Sequence, residues 1–97
     1  MSAYAMFQIR ITDPETYKQY VAQVAPTIAQ YGGRFLVRGG AYETLEGEWP
    51  EWRHVVLEFP SKEQARAWYD SPEYTPLKRL RQSASEGRGI IIEGAGG

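Results

Sequence analysis

The stretch Trp52-Arg53-His54-Val55-Val56-Leu57-Glu58-Phe59-Pro60-Ser61-Lys62-Glu63-Gln64 decides the fold. Arg53, Val55, Leu57 and Phe59 fall on one side of an extended chain, and Trp52, His54, Val56 and Glu58 fall on the other. This is the two-residue period of a strand. Pro60 stops it. Ser61 and Gln64 then have the spacing of a capping box, so a helix starts directly after the strand. Ala65, Trp68 and Tyr69 form the apolar stripe of that helix. Ser71-Pro72 and Thr75-Pro76 restart the chain, while Tyr74, Leu77 and Leu80 keep helical spacing. Ser83–Gly87 reads as a loop, Gly89–Glu93 as a short β-branched strand, and Gly94–Gly97 as a flexible tail.

The same strand–helix unit precedes this stretch. Ala3–Ile11 alternates, with Tyr4, Met6, Gln8 and Arg10 opposite Ala5, Phe7, Ile9 and Ile11. Thr12-Asp13-Pro14-Glu15 is a helix start: Thr12 or Asp13 can cap free amides, and Pro14 sits where its missing N–H costs nothing. Tyr17, Tyr20, Val21, Val24, Ile28 and Tyr31 then line one helix face, and Gly32-Gly33 ends it. Pro26 removes the bond to the Ala22 carbonyl, at a cost of about 3 kcal/mol, which predicts a kink or two short helices. In Arg34–Arg38, Phe35 and Val37 oppose Arg34, Leu36 and Arg38. Gly39-Gly40 suggests a bulge or close approach by another backbone. Ala41–Glu46 continues extended, and Gly47–Glu51 is a turn.

Strand, helix, strand, strand, helix, strand, joined by two right-handed crossovers, is the ferredoxin-like βαββαβ unit of the α+β class. It predicts a four-stranded antiparallel sheet with both helices on one face. The first and third strands are expected at the centre and parallel to each other. The uncovered face would carry Tyr4, Met6, Gln8, Arg10, Leu36, Arg38, Trp52, His54, Val56, Glu58 and Ile91. Half of that set is apolar, more than a sheet face left in water normally shows, so a homodimer with sheets face to face is expected.

Composition narrows the chemistry. The 97 residues suffice for one domain, 1–97. Eleven basic against twelve acidic residues give a net charge of −1, which is no footprint for nucleic acid or an anionic membrane. Without cysteine there is no disulfide framework, thiol nucleophile or thiolate metal site, and the single histidine rules out a multi-histidine metal centre within one chain. No run approaches the about 20 apolar residues of a membrane span, and nothing at the N-terminus marks export, so a cytoplasmic location is expected. No metal and no cofactor is expected; haem would find only His54 as an axial ligand.

His54 is the natural general base. Glu58 lies about 13 Å along the same strand, so an orienting partner must come from Gln8, Arg10 or Arg38. The competing reading is a histidine bonded in the dimer interface. Arg38 presents a planar fork to a carboxylate or enolate, with Gly39 and Gly40 opening the backbone to a ligand. Its competing reading is an interface arginine paired with Glu58 or Glu46. Tyr4 and Arg10 complete the expected ligand-binding set. Glu43, Glu46, Glu48 and Glu51 read as a solvated acidic loop, and Lys78, Arg79, Arg81 and Arg88 as a small basic patch. Trp68, Tyr69, Tyr74, Tyr17 and Tyr20 read as core first and pocket second.

Four motifs in joint order carry a resemblance: Tyr31–Gly40 (YGGRFLVRGG), Leu45-Glu46-Gly47, Val55–Ser61 (VVLEFPS) and Trp68–Tyr74 (WYDSPEY). Together they resemble the domain-of-unknown-function family numbered 1330, over nearly the whole chain to Glu93. The resemblance implies a dimeric α/β barrel, two ferredoxin-like protomers closing a barrel between their sheets. It implies no biochemistry, although relatives by fold include cofactor-independent monooxygenases, muconolactone isomerases and haem-degrading enzymes. The leading expectation is a homodimer binding a small anionic or aromatic organic ligand near the open sheet face. One rival is a cofactor-independent monooxygenase- or isomerase-like enzyme using His54 and Arg38; another is a non-catalytic structural or regulatory dimer.

Overall fold

A computed structural model describes residues 2–96. In chain order the elements are β1 (Ala3–Ile11), α1 (Pro14–Gln30), β2 (Arg34–Arg38), β3 (Arg53–Phe59), α2 (Lys62–Tyr69), α3 (Thr75–Ser83) and β4 (Ser85–Glu93). The sheet order is β2-β3-β1-β4. All three pairings are antiparallel, including the central β1–β3 pair, which was expected to be parallel. Each helical crossover skips one strand, so the parallel partners are β1 with β2 and β3 with β4, never neighbours. The shortest principal extent is 16 Å, that of one sheet with one helical layer.

Local chemistry sets the helix ends. The Asp13 carboxylate accepts from the Thr16 N–H at 3.3 Å and from its hydroxyl at 2.7 Å, with Pro14 in the first turn. The α1 helix then runs unbroken through Pro26, one helix rather than two. At its end the Gly32 N–H reaches the Ala29 carbonyl and the Gly33 N–H that of Ile28, with Gly32 at φ +79. Ser61 caps α2 by accepting from the Gln64 N–H at 3.1 Å, the spacing read in the sequence. Between α2 and α3, buried Ser71 donates its hydroxyl to the Trp68 carbonyl and accepts the Tyr74 N–H.

Ala5, Ile9, Val55, Leu57 and Phe59 meet Tyr20, Val24, Ile28, Trp68 and Tyr74 in one core between sheet and helices. Trp68 and Tyr74 are fully buried with ring centroids 4.1 Å apart. The other sheet face exposes Met6, Val37, Ile90 and Ile92.

Several further sequence expectations are corrected. The bulge expected at Gly39-Gly40 lies earlier: Phe35 pairs with Leu57 and Val37 with Val56, leaving Leu36 without a partner. The extra residue swaps the faces that follow. Val37 turns to the open face, and Arg38, opposite buried Val55, turns to the helix side. Ile91 pairs with Ala5 and packs on the core, while Ile90 and Ile92 take the open face. The β4 strand begins at Ser85, not Gly89, because Phe7 fills the helix-side space over Gly89, where a Cβ would sit 2.5 Å from its ring. Residues 40–52 carry no strand or helix, so the extended run expected at Ala41–Glu46 is loop. Of the tail, the Gly94 N–H bonds the Ser2 carbonyl at 2.8 Å, and Gly97 lies outside the described residues.

Candidate ligand-binding site

The residues singled out in the sequence do not converge. Tyr4 and Arg10 share the open face but stand six residues apart on β1, about 20 Å. Arg10 pairs with Glu86 at 3.2 Å. Arg38 is on the other face, its guanidinium 4.2 Å over the Phe35 ring and donating to the Val21 carbonyl at 3.3 Å. Neither acid proposed for it is its partner; Glu58 binds Arg34 at 2.7 Å, and that arginine holds the Glu58 carboxyl below the usual carboxylate range. Gly39, at φ +69, donates its N–H to the His54 carbonyl, and Gly40 starts the loop.

His54 finds none of the partners foreseen for it. Gln8, opposite it on β1, accepts from Arg88 instead. The loop folds back so that Trp49 Nε1–H donates to His54 Nε2 at 2.7 Å, with the two rings stacked and Tyr42 edge-on. An indole nitrogen only donates, so Nε2 accepts and the proton sits on Nδ1, which is buried without a partner. The basic nitrogen of His54 is therefore engaged.

The large cavity lies on the helix side rather than at the open face. It is a groove of about 890 Å³ between α2, α3 and the edge strand β4. Phe7, Tyr69 and Ile91 supply apolar surface, and Gly87 and Gly89 lie along its β4 side. Phe7 stacks on Tyr69 with centroids 6.4 Å apart and meets Trp68 edge-on. The cations around the groove are mostly committed. Lys62 pairs with Glu93 at 3.0 Å, Arg66 with Asp70 at 2.8 Å, and Arg88 donates to Gln8 at 2.7 Å.

Arg81 differs. It is 5 % exposed, and no carboxylate pairs with it among the described residues. Its Nε–H donates to the Tyr74 hydroxyl at 3.2 Å, and its guanidinium stands 5.3 Å from the Phe7 ring centre. The Tyr74 oxygen meets that of Tyr20 at 3.0 Å, so cation and phenols form one buried chain. Burial works against the Arg81 charge, but the phenols of Tyr74 and Tyr20 outweigh it and hold the group above its ordinary range. The guanidinium remains a cation at the inner end of an apolar groove.

Arg81 was read in the sequence only as part of a basic patch. The signal was present: Tyr74, Leu77 and Arg81 are spaced i, i+3, i+7, which puts the arginine on the buried stripe of α3. Trp68, Tyr17, Tyr20 and Tyr74 are core, as the first reading of the aromatic group had it, and Tyr69 lines the groove.

The family model described as domain of unknown function (DUF1330) matches residues 2–95. The chain belongs to the DUF1330 family. No curated protein matches it. Among solved structures, a protein of unknown function from Rhodopseudomonas palustris superposes with a TM-score of 0.78 at 21% identity, over 99% of this chain and 84% of that one. SnoaB, a cofactor-independent oxygenase from Streptomyces nogalater, gives a TM-score of 0.66 at 14% identity, over 99% and 95%. A dimeric protein of unknown function and ferredoxin-like fold from Bacteroides fragilis gives 0.58 at 11%, over 96% of each chain. These likenesses confirm the ferredoxin-like fold of this DUF1330 chain. Among its described residues, no helix is long and apolar enough to cross a membrane.

Proposed function

We propose that this DUF1330 protein binds a small anionic, partly aromatic organic molecule in the groove between α2, α3 and β4, as a homodimer that leaves that groove open. The observation that carries the binding reading is Arg81. A buried cation with no acid beside it is costly to keep, and a ligand anion would supply the missing charge. Guanidinium matches carboxylate in two parallel hydrogen bonds, which makes an organic acid the best fit. Phe7, Tyr69 and Ile91 offer an apolar bed for the rest of the molecule, and a volume of about 890 Å³ is in the range of small-ligand sites.

The dimer rests on the open face, where Met6, Val37, Ile90 and Ile92 are exposed beside ion pairs and Gln8. A sheet-to-sheet contact covers this surface as far as Ile90, which borders the groove, and leaves the rest of the groove in solvent. The enzymatic rival asks His54 to accept a proton at Nε2, which requires the Trp49 indole to leave first. Catalysis by His54 and Arg38 acting together is further disfavoured because they sit on opposite sheet faces.

Isothermal titration with 1-naphthoate tests the binding reading. We expect saturable binding, and a drop of roughly tenfold or more in Arg81→Gln, equivalent to about 1.4 kcal/mol. Arg66→Gln, at the paired rim, should change affinity by less than about threefold. Equal affinity in the native protein and Arg81→Gln would refute the assignment.

A further inference from the structure

The sheet has two edges, and they are built differently. The β2 edge is five residues long and carries the shift at Leu36, both of which blunt it. At the other edge, β4 pairs with β1 in unbroken register over nine residues and contains neither proline nor lysine. Its residues 86–90 are exposed. Its one cation, Arg88, is drawn back over the sheet by Gln8 and the Trp52 ring. The outward N–H and C=O groups of β4 are therefore open to a further strand.

The groove runs along this edge. Gly87, Arg88, Gly89, Ile90 and Ile91 all line it. Successive side chains of a strand point to opposite faces, so five consecutive lining residues mean that the groove meets the backbone edge and not one face alone. Helix α2 forms the facing wall: Lys62 in its first turn pairs with Glu93 at the end of β4, and Asp70, just past its last turn, lines the groove as well. Arg81 closes the end near the start of β4, where the Ser85 hydroxyl donates to its carbonyl. Among the described residues only the Nε–H of its guanidinium is engaged in a hydrogen bond, and a Cβ on Gly87 would lie 3.8 Å from its Nη1. Edge strand, facing helix and terminal cation together make the setting in which an added strand is held by its backbone and its C-terminal carboxylate.

We propose that the groove takes the C-terminal segment of a peptide as a fifth strand on β4, with the terminal carboxylate on Arg81. This rests on the reading of Arg81 as the anchor of an anion and names the class of molecule that brings it. The chain direction follows from the place of Arg81. A peptide ending there runs antiparallel to β4, the sense of every pairing in the sheet. Alternate side chains of the peptide turn to the helix side, where Phe7, Tyr69 and Ile91 favour apolar and aromatic residues.

The test uses the pentapeptide acetyl-VTVTF with a free C-terminus, its C-terminal amide, and 1-naphthoate. Each is titrated into the protein by calorimetry, and amide hydrogen exchange along β4 is followed by NMR. The free acid should bind roughly tenfold or more tighter than the amide, and Arg81→Gln should bring that ratio below about twofold. Saturating peptide should slow exchange of alternate β4 amides by roughly tenfold or more, whereas 1-naphthoate should leave it unchanged. Equal affinities for acid and amide, or peptide binding without slowed exchange, overturn the proposal. Naphthoate binding without peptide binding overturns the strand addition and leaves the anion site standing; binding of neither overturns both. Slow exchange throughout β4 in the free protein would mean that a second copy already holds the edge, and overturns the proposal as well.

Discussion

Tyr20 places a phenol where water cannot follow, and that has a measurable consequence at the scale of single residues. Burial, reinforced by the Tyr74 hydroxyl 3.0 Å away, pushes its pKa far above the ordinary phenol value of 10.0. Burial raises Tyr17 as well, against the pull of Arg53 and Arg81. Folded, both groups keep their protons where the unfolded chain releases them. Their stabilisation is therefore complete below the unfolded pKa and is lost as the pH climbs above it. Stability measured by urea denaturation should be level up to a pH of about 9 and fall steeply above about 10, with the NMR ring signals of Tyr17 and Tyr20 changing to the ionised form only in step with unfolding. Ionisation of Tyr17 or Tyr20 well before the loss of structure, read from their own ring signals, would mean these phenols are not enclosed. The sequence shows such residues as core by their spacing on α1, because periodicity reports burial. It does not show which hydroxyl meets which, because Tyr20 and Tyr74 are brought together only by the packing of α1 on α3.

At the scale of elements, caps and stops were legible and register was not. Asp13, Ser61 and Gly32-Gly33 act through bonds spanning three to five residues, so their sequence neighbourhood suffices. Pro26 is exposed inside α1 and leaves the Ala22 carbonyl without its helical donor. Pro26→Ala would restore that bond. The gain of about 3 kcal/mol is offset by about 1 kcal/mol of freedom returned to the unfolded chain, a net stabilisation of about 2 kcal/mol. A higher urea midpoint at unchanged slope checks this; an unchanged or lower midpoint would show that α1 is shaped around the ring. Register behaves differently. Arg34–Arg38 alternates without fault on paper, yet Leu36 drops out of the ladder and sends Arg38 inward. The compensation lies elsewhere in the fold, in the Phe35 ring and the Val21 carbonyl that receive the guanidinium. Likewise Gly87 reads as loop because its side-chain space is filled by the neighbouring strand.

At the scale of the whole molecule, the order of elements was enough for the topology, since few arrangements satisfy two right-handed crossovers around one sheet. The candidate site was not legible in the same way. Its parts come from β1, α2, α3 and β4, and its key charge is distinguished only by what fails to accompany it. The one-sided sheet predicts assembly: native mass spectrometry at micromolar concentration should show a dimer, and Ile90→Glu, on the exposed face, should give a folded monomer. A native monomer, or a dimer indifferent to that charge, would remove the sheet-face contact. The alternation of β1 and β4 reaches further than stability. Phe7 and Ile91 face the groove, while their immediate neighbours Met6 and Ile92 face the other way. Adjacent codons thus serve separate tasks, so after gene duplication one copy can drift towards a new ligand while keeping its old partner, or change partner while keeping its ligand.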